Sequence, residues 1–225
     1  MKKILLPLLA LAFSFGQLSA ATITWGAIQK NGFGSSNGVD LPQGDLVEIG
    51  TFLISDSQIQ ANIGNISYLT NHFVSFASGF IGDNTATNGI LSESSTANST
   101  NINGQNIVGF QLYYWVFNSS TVAASTQQGI FYLNLTQNAN WAIPVQSPVP
   151  GSATTDISDL TINNGTNLAT GATLVWGQFD TNATTSALGG PMFITQAVPE
   201  PSSWVLLGIG LATGLGLSLS RRKTS

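Results

Sequence analysis

Residues 107–118 read IVGFQLYYWVFN, and from Leu112 to Phe117 every side chain is apolar or aromatic. A run with no polar face cannot sit with one side in water, so it predicts a central strand covered on both faces. Working outward, residues 129–136 (GIFYLNLT) alternate Phe131, Leu133 and Leu135 with Tyr132, Asn134 and Thr136. That is the period of a half-buried antiparallel strand. Five further runs read as strands: 22–29 (TITWGAIQ), 46–54, 141–145, 172–179 (ATLVWGQF) and 191–196. Asn31, Asn37, Asn88, Asn103 and Asn164 each precede a glycine, a pair that tolerates the positive φ of tight turns. The expectation is a mainly β fold, an antiparallel β-sandwich or jelly-roll-like body with minor short helix.

Three stretches depart from this pattern. Ile59, Ile63, Ile66, Leu69, Phe73 and Phe76 recur at helical spacing, with Gly64 and Asn65 interrupting them, which predicts two short helices or one broken one. Asp56 stands near the start of the first, where a carboxylate favours the helix dipole. Residues 82–105 are rich in Ser, Thr, Asn and Gly, and read as an insertion or a hairpin around Ile90-Leu91. Residues 147–167 read as a polar connector. The strings TITWG (22–26) and TLVWG (173–177) echo each other and suggest neighbouring strands of one sheet.

Both ends of the chain read as address labels. Met1-Lys2-Lys3 precedes an apolar stretch to Phe15 and the small residues Ser19, Ala20 and Ala21. This is the plan of a signal peptide over residues 1–21, an N-terminal signal helix removed by signal peptidase after Ala21. Residues 22–196 then form one β-rich extracellular body, and 197–225 a tail. The body holds one cation, Lys30, against nine carboxylates, a formal charge of −8. Such a surface repels phosphate backbones and anionic lipid, which argues against nucleic-acid binding. The chain has no cysteine, so disulfides and thiolate chemistry are excluded.

The tail is the most specific part. Val198-Pro199-Glu200-Pro201 leads through Ser202-Ser203 into WVLLGIGLATGLGLSLS (204–220), followed by Arg221-Arg222-Lys223. Two prolines around Glu200 deny that segment helix and ladder donors, leaving it extended for an enzyme cleft. The uncharged run is at the short end of a bilayer-spanning helix. Trp204 suits the outer interface, and Arg221, Arg222 and Lys223 hold the end on the cytoplasmic side. This arrangement resembles the PEP-CTERM sorting domain. The resemblance implies that Val198, Pro199, Glu200 and Pro201 are read by an exosortase, a membrane-embedded cysteine transpeptidase-like enzyme. It implies a transient membrane anchor, then release to the cell surface or medium. Members often accompany exopolysaccharide production, which makes an exopolysaccharide a partner suggested by the family alone.

The body offers little chemistry. His72 is its one histidine and lies among apolar residues, and no Gly-x-Ser-x-Gly elbow occurs. Paired carboxylates such as Asp40, Asp45 and Glu48, or Asp156 and Asp159, are the remaining enzymatic option, with no Arg in the body to hold a substrate. Asp83-Asn84 with Thr85, Thr87 and Asn88, or Asp156 with Asp159, could offer oxygens to calcium, but neither fits the EF-hand spacing or a Gly-rich nonapeptide repeat, and they read as turn residues. Tyr113, Tyr114 and Trp141 are the candidate exposed platforms for stacking on glycans. The expectation is an exported, non-catalytic structural protein of the cell surface or extracellular matrix, without cofactor or metal. The alternative is a carbohydrate-binding module or adhesin.

Overall fold

The computed structural model describes residues 20–27, 31–97, 101–102, 104–145, 151–181, 186–187, 189–190 and 192–199. The expected signal helix and transmembrane helix fall outside the described residues, apart from Ala20 and Ala21. Ala21 is fully buried and opens the first strand.

The stretch 107–118 does form the centre, over a shorter length than the sequence suggests. Strand β8 (Tyr113–Phe117) is the middle of a sheet ordered β13 (Ala172–Trp176), β9 (Gln127–Leu133), β8, β3 (Leu46–Phe52), β4 (Phe73–Phe80), with strands numbered along the chain. No residue of β8 is more than 8% exposed, so both faces are covered. Tyr113, Trp115 and Phe117 face one hydrophobic cluster and Tyr114 and Val116 face another. All four pairings within this sheet are antiparallel. A short strand β16 (Gln196–Ala197) adds to the same edge of β9 as β13, further toward the start of β9.

A second sheet, β10 (Gly151–Asp156), β1 (Ala21–Ala27), β5 (Leu91–Ala97), packs on the Tyr114 side through Ile23 and Trp25. Its outward residues Thr22 and Thr24 lie beside Thr96 and Ser94, the polar half of a period-two pattern. A third sheet, β14 (Gln178–Asp180), β15 (Met192–Ile194), β2 (Gly32–Gly34), adds Phe33 and Phe193 to that core. Two small hairpins complete the described strands, β6 (Asn101–Ile102) with β7 (Gln105–Asn106) and β11 (Thr161–Ile162) with β12 (Asn167–Leu168). In the latter, Asn163, Asn164 and Gly165 all have positive φ, the turn chemistry anticipated for Asn164-Gly165.

The other face of the central sheet is covered by two short helices, α1 (Asp56–Ala61) and α2 (Ile66–His72), which bury Ile59 and Leu69, and by their connector, which buries Ile63. Ser55 and Gln58 form a reciprocal capping box at α1, and Asn65 caps α2. The helical spacing therefore holds to His72, after which Phe73 and Phe76 belong to β4. Among the described residues the fold is mainly β with few helices, as the runs predict, and its pairings are antiparallel except for β1 with β10 and β2 with β15.

Several local expectations are corrected. The echoing strings are not neighbours: β1 pairs β10 and β5, whereas β13 pairs β9. Trp25 is buried in the Tyr114 cluster and Trp176 is half-buried against the Trp115 cluster, so the shared pattern packs two tryptophans on opposite faces of the central sheet. Early and late chain do meet elsewhere, through parallel pairing of β2 with β15. Ile90-Leu91 is not a hairpin tip, because Leu91 starts β5 with its side chain fully buried. Gly151–Asp156, read as connector, is β10. Residues 141–145 form no strand; Trp141 ends a 3-10 turn and Ala142 makes a single bridge to Gln111. The run 172–179 is split at Gly177, whose φ of 118° turns β13 into β14.

Candidate functional site

The expected stacking platforms are core. Tyr113, Tyr114 and Trp141 are 8%, 1% and 0% exposed, which removes their faces from any solvent ligand. Each can be buried because its polar end finds a partner inside. The Tyr114 hydroxyl accepts from Gly26 N–H at 3.0 Å and lies 3.2 Å from the carbonyls of Gly26 and Thr155, joining β1 and β10 to the central sheet. Trp141 Nε1–H donates to Asp159 at 3.1 Å. Tyr113 and Tyr132 donate to the two oxygens of Asp56, at 3.1 and 2.7 Å. Burial, with Asp56 second, pushes the Tyr113 hydroxyl far above its ordinary range, and burial does the same for Tyr114.

Of the carboxylates read as possible acid pairs, Asp40, Asp156 and Asp159 are engaged by the fold. Asp156 and Asp159 cap the 3-10 turn Ile157–Leu160 reciprocally. Asp40 accepts from the Ser186 hydroxyl and the Ala187 N–H, at 2.7 and 2.8 Å. Asp45 is 6% exposed, its Oδ2 has no partner among the described residues, and burial raises its pKa to about 6. Glu48, opposite Trp115 in the central sheet, is also raised by burial. His72 is held by a 2.8 Å contact between Nδ1 and the Tyr68 carbonyl and lies against the Tyr68 ring. In the loop after β4, Asp83 accepts from Phe80 N–H, Asn84 donates to Ser92 and Glu93, and Asn88 accepts from Gln43 N–H. No group of three or more His, Asp or Glu placed to hold a metal occurs among the described residues.

The place with the most specific construction is where the tail leaves the body. β15 delivers the chain to Thr195, fully buried, whose N–H donates to Gly34 O at 2.8 Å. Gln196 and Ala197 then pair with Gln128 and Gln127 of β9. Val198 continues the ladder with an N–H bond to Thr126 O at 2.9 Å. Pro199 follows with its carbonyl over Gly64, so close that a Cβ on Gly64 would lie 2.5 Å from that oxygen. Along this exit Gln196 and Val198 are half-buried while Ala197 and Pro199 are exposed, the alternation of a strand.

Gln128 underlies this exit, and nothing in its sequence position announces it. It is fully buried. Its backbone pairs with Gln196, its Oε1 accepts from Trp115 Nε1–H at 2.7 Å, and its Nε2 donates to Ile63 O at 2.7 Å. One residue therefore ties the exit strand, through its backbone, to the core tryptophan and the α1–α2 connector, through its side chain. Gln60, Asn62, Ile63, Gly64, Asn65 and Pro199 line a cleft of about 350 Å³ there.

Of the residues expected to form the sorting motif, Val198 and Pro199 are thus placed on the body. Glu200, Pro201, Trp204, Arg221, Arg222 and Lys223 lie outside the described residues. A family model described as the PEP-CTERM protein-sorting motif matches residues 197–223. No curated protein and no solved structure matches the chain significantly, and the body is not recognised. Residues 197–223 carry a PEP-CTERM sorting motif, consistent with this chain being an exosortase substrate.

Proposed function

We propose that this is a structural protein of the cell surface or extracellular matrix, exported by a signal peptide over residues 1–21 and sorted by an exosortase, with no catalytic activity of its own. The observation that carries the sorting reading is the motif at 197–223, whose first residue lies in β16. In this reading WVLLGIGLATGLGLSLS is a transient membrane helix, held by Trp204 outside and Arg221, Arg222 and Lys223 inside. The packing of β10–β1–β5 on the central sheet supports a sandwich-like body. Support for a non-catalytic role comes from Asp40, Asp56, Asp156 and Asp159, all engaged in bonds that hold the fold.

The test is the intact mass of the protein from the native host's surface and medium, for wild type and for Pro199-Glu200-Pro201→Ala-Ala-Ala. Wild type ending near Pro201, with the variant retaining 204–223 in the membrane, is the expected result. Retention of the tail in both would make this an ordinary tail-anchored envelope protein.

A carbohydrate-binding reading is favoured by one groove of about 360 Å³, lined by Ser36, Trp176, Gln178, Ile194, Gln196 and Ala197. It pairs a half-buried indole with neutral amides and a hydroxyl, and no Lys or Arg occurs among the described residues. That chemistry suits a neutral glycan rather than an anionic one. Neutral oligosaccharides titrated into the protein should change its tryptophan fluorescence, and Trp176→Ala should abolish the change. A wild type silent to millimolar glycan ends this reading.

A further inference from the structure

We propose that the α1–α2 connector and the start of β9 form an intramolecular seat for the sorting segment, which the processing enzyme must empty before it can cut. The inference rests on the sorting reading above and concerns the accessibility of the motif rather than its identity.

The seat holds backbone. Gln196 and Ala197 are in ladder with Gln128 and Gln127, the Val198 N–H is given to Thr126 O, and the Pro199 carbonyl lies on Gly64. The receiving surface is rigid, because Gln128 bonds both Trp115 and Ile63 O from a fully buried position. Gly64 is required by this contact alone. A Cβ there would meet only the Pro199 carbonyl, and its φ lies outside the left-handed region.

Val198 and Pro199 are half of the four-residue motif. A peptide is gripped by a cleft as an extended segment whose backbone bonds are free for the enzyme. Here the Val198 N–H is already bonded to Thr126 O and the Pro199 carbonyl packs on Gly64, so seat and enzyme compete for the same stretch of backbone. The exposed Pro199 ring lets the enzyme find the motif, while closure of a cleft around it needs the seat to open. Geometry sharpens the competition. Four residues separate Pro199 from Trp204, a span of at most ~18 Å from Cα to Cα. A seated motif thus keeps the body close against the surface at which Trp204 is expected, which crowds any membrane-bound enzyme. The apparent affinity of the enzyme is lowered by the fraction of chains whose seat is open.

Gly64→Ala opens the seat without touching the motif. The experiment follows tail removal by pulse-chase in the native host for wild type, Gly64→Ala and the triple-alanine motif variant. Hydrogen exchange at the Val198 amide is measured on the purified full-length wild type and Gly64→Ala. Expected are a protected Val198 amide in wild type, loss of that protection in Gly64→Ala at unchanged melting temperature, and tail removal faster by roughly three- to tenfold. An unprotected Val198 amide in wild type overturns the seat. Unchanged or slower processing of Gly64→Ala, with protection lost, overturns the competition. Processing of the triple-alanine variant at the wild-type rate instead removes the sorting reading itself, so the two failures are separable.

Discussion

At the scale of single residues, the polar ends of buried aromatic rings organise this molecule. Tyr114 is the clearest case, a hydroxyl in the core that meets Gly26 N–H and the carbonyls of Gly26 and Thr155. Tyr114→Phe keeps the ring but leaves these buried groups of β1 and β10 without it. An unfulfilled buried donor costs about 1–3 kcal/mol, and the expected loss of that size is measurable by urea unfolding with an unchanged m-value. A stability equal to wild type would mean that water or a backbone shift replaces the hydroxyl. Residue identity alone marked Tyr113, Tyr114 and Trp141 as aromatic, which is compatible with a core or a ligand face. Their partners Asp56, Gly26 and Asp159 lie 57, 88 and 18 positions away, so no local reading could pair them.

At the scale of elements, the short helices show local chemistry and tertiary contact acting together. α1 has six residues, too few to persist alone in water. It is held by the Ser55–Gln58 box at one end and by Ile59 and Ile63 buried beneath the central sheet. Ser55→Ala removes the side-chain acceptor for Gln58 N–H, and should cost about 0.5–2 kcal/mol. Faster exchange of the first-turn amides of α1, with the rest of the protein unaffected, is the expected signature. The helix-to-strand change at Phe73 was hidden because Phe73 and Phe76 continue the helical spacing by accident. Phe73 instead packs on Phe52 and Trp115, at 4.8 and 5.0 Å between ring centres, as a cross-strand neighbour. β5 and β10 were hidden differently, since outward-facing Ser and Thr give their strings the composition of a loop. Their pairing with β1 on both of its edges is what makes them strands.

At the scale of the whole molecule, charge and burial set the response to pH. The body carries nine carboxylates against one lysine, and Asp45 and Glu48 are both held above the usual carboxylate range by burial. A raised folded-state pKa means that the native state keeps a proton the unfolded chain releases. The contribution of Asp45 to stability is therefore fullest below the ordinary aspartate value near 3.8 and is lost as pH rises through about 6. Asp45→Asn should flatten that part of the profile. At pH 7 it should gain on the order of 1 kcal/mol, the shift being discounted for partial solvation. Thermal melts from pH 4 to pH 7 check this, and parallel profiles for wild type and variant would remove Asp45 as the source.

The sequence by itself determined those features that are written in neighbouring residues. The motif Val198-Pro199-Glu200-Pro201 and its apolar and basic sequel, the two-faced strand at 113–117, the two helices and the Asn-Gly turn at 164–165 are all carried by spacing and side-chain type. Only the tertiary structure decided which strands pair, which aromatics are core, and that Gln128 ties the exit strand to Trp115 and Ile63. The reason is physical. A period of two states that a strand has an inside and an outside, but pairing and burial depend on contacts between residues far apart in the chain. The seat of the sorting segment joins positions 64, 126 and 199, which become neighbours only once the sheets have closed on their cores.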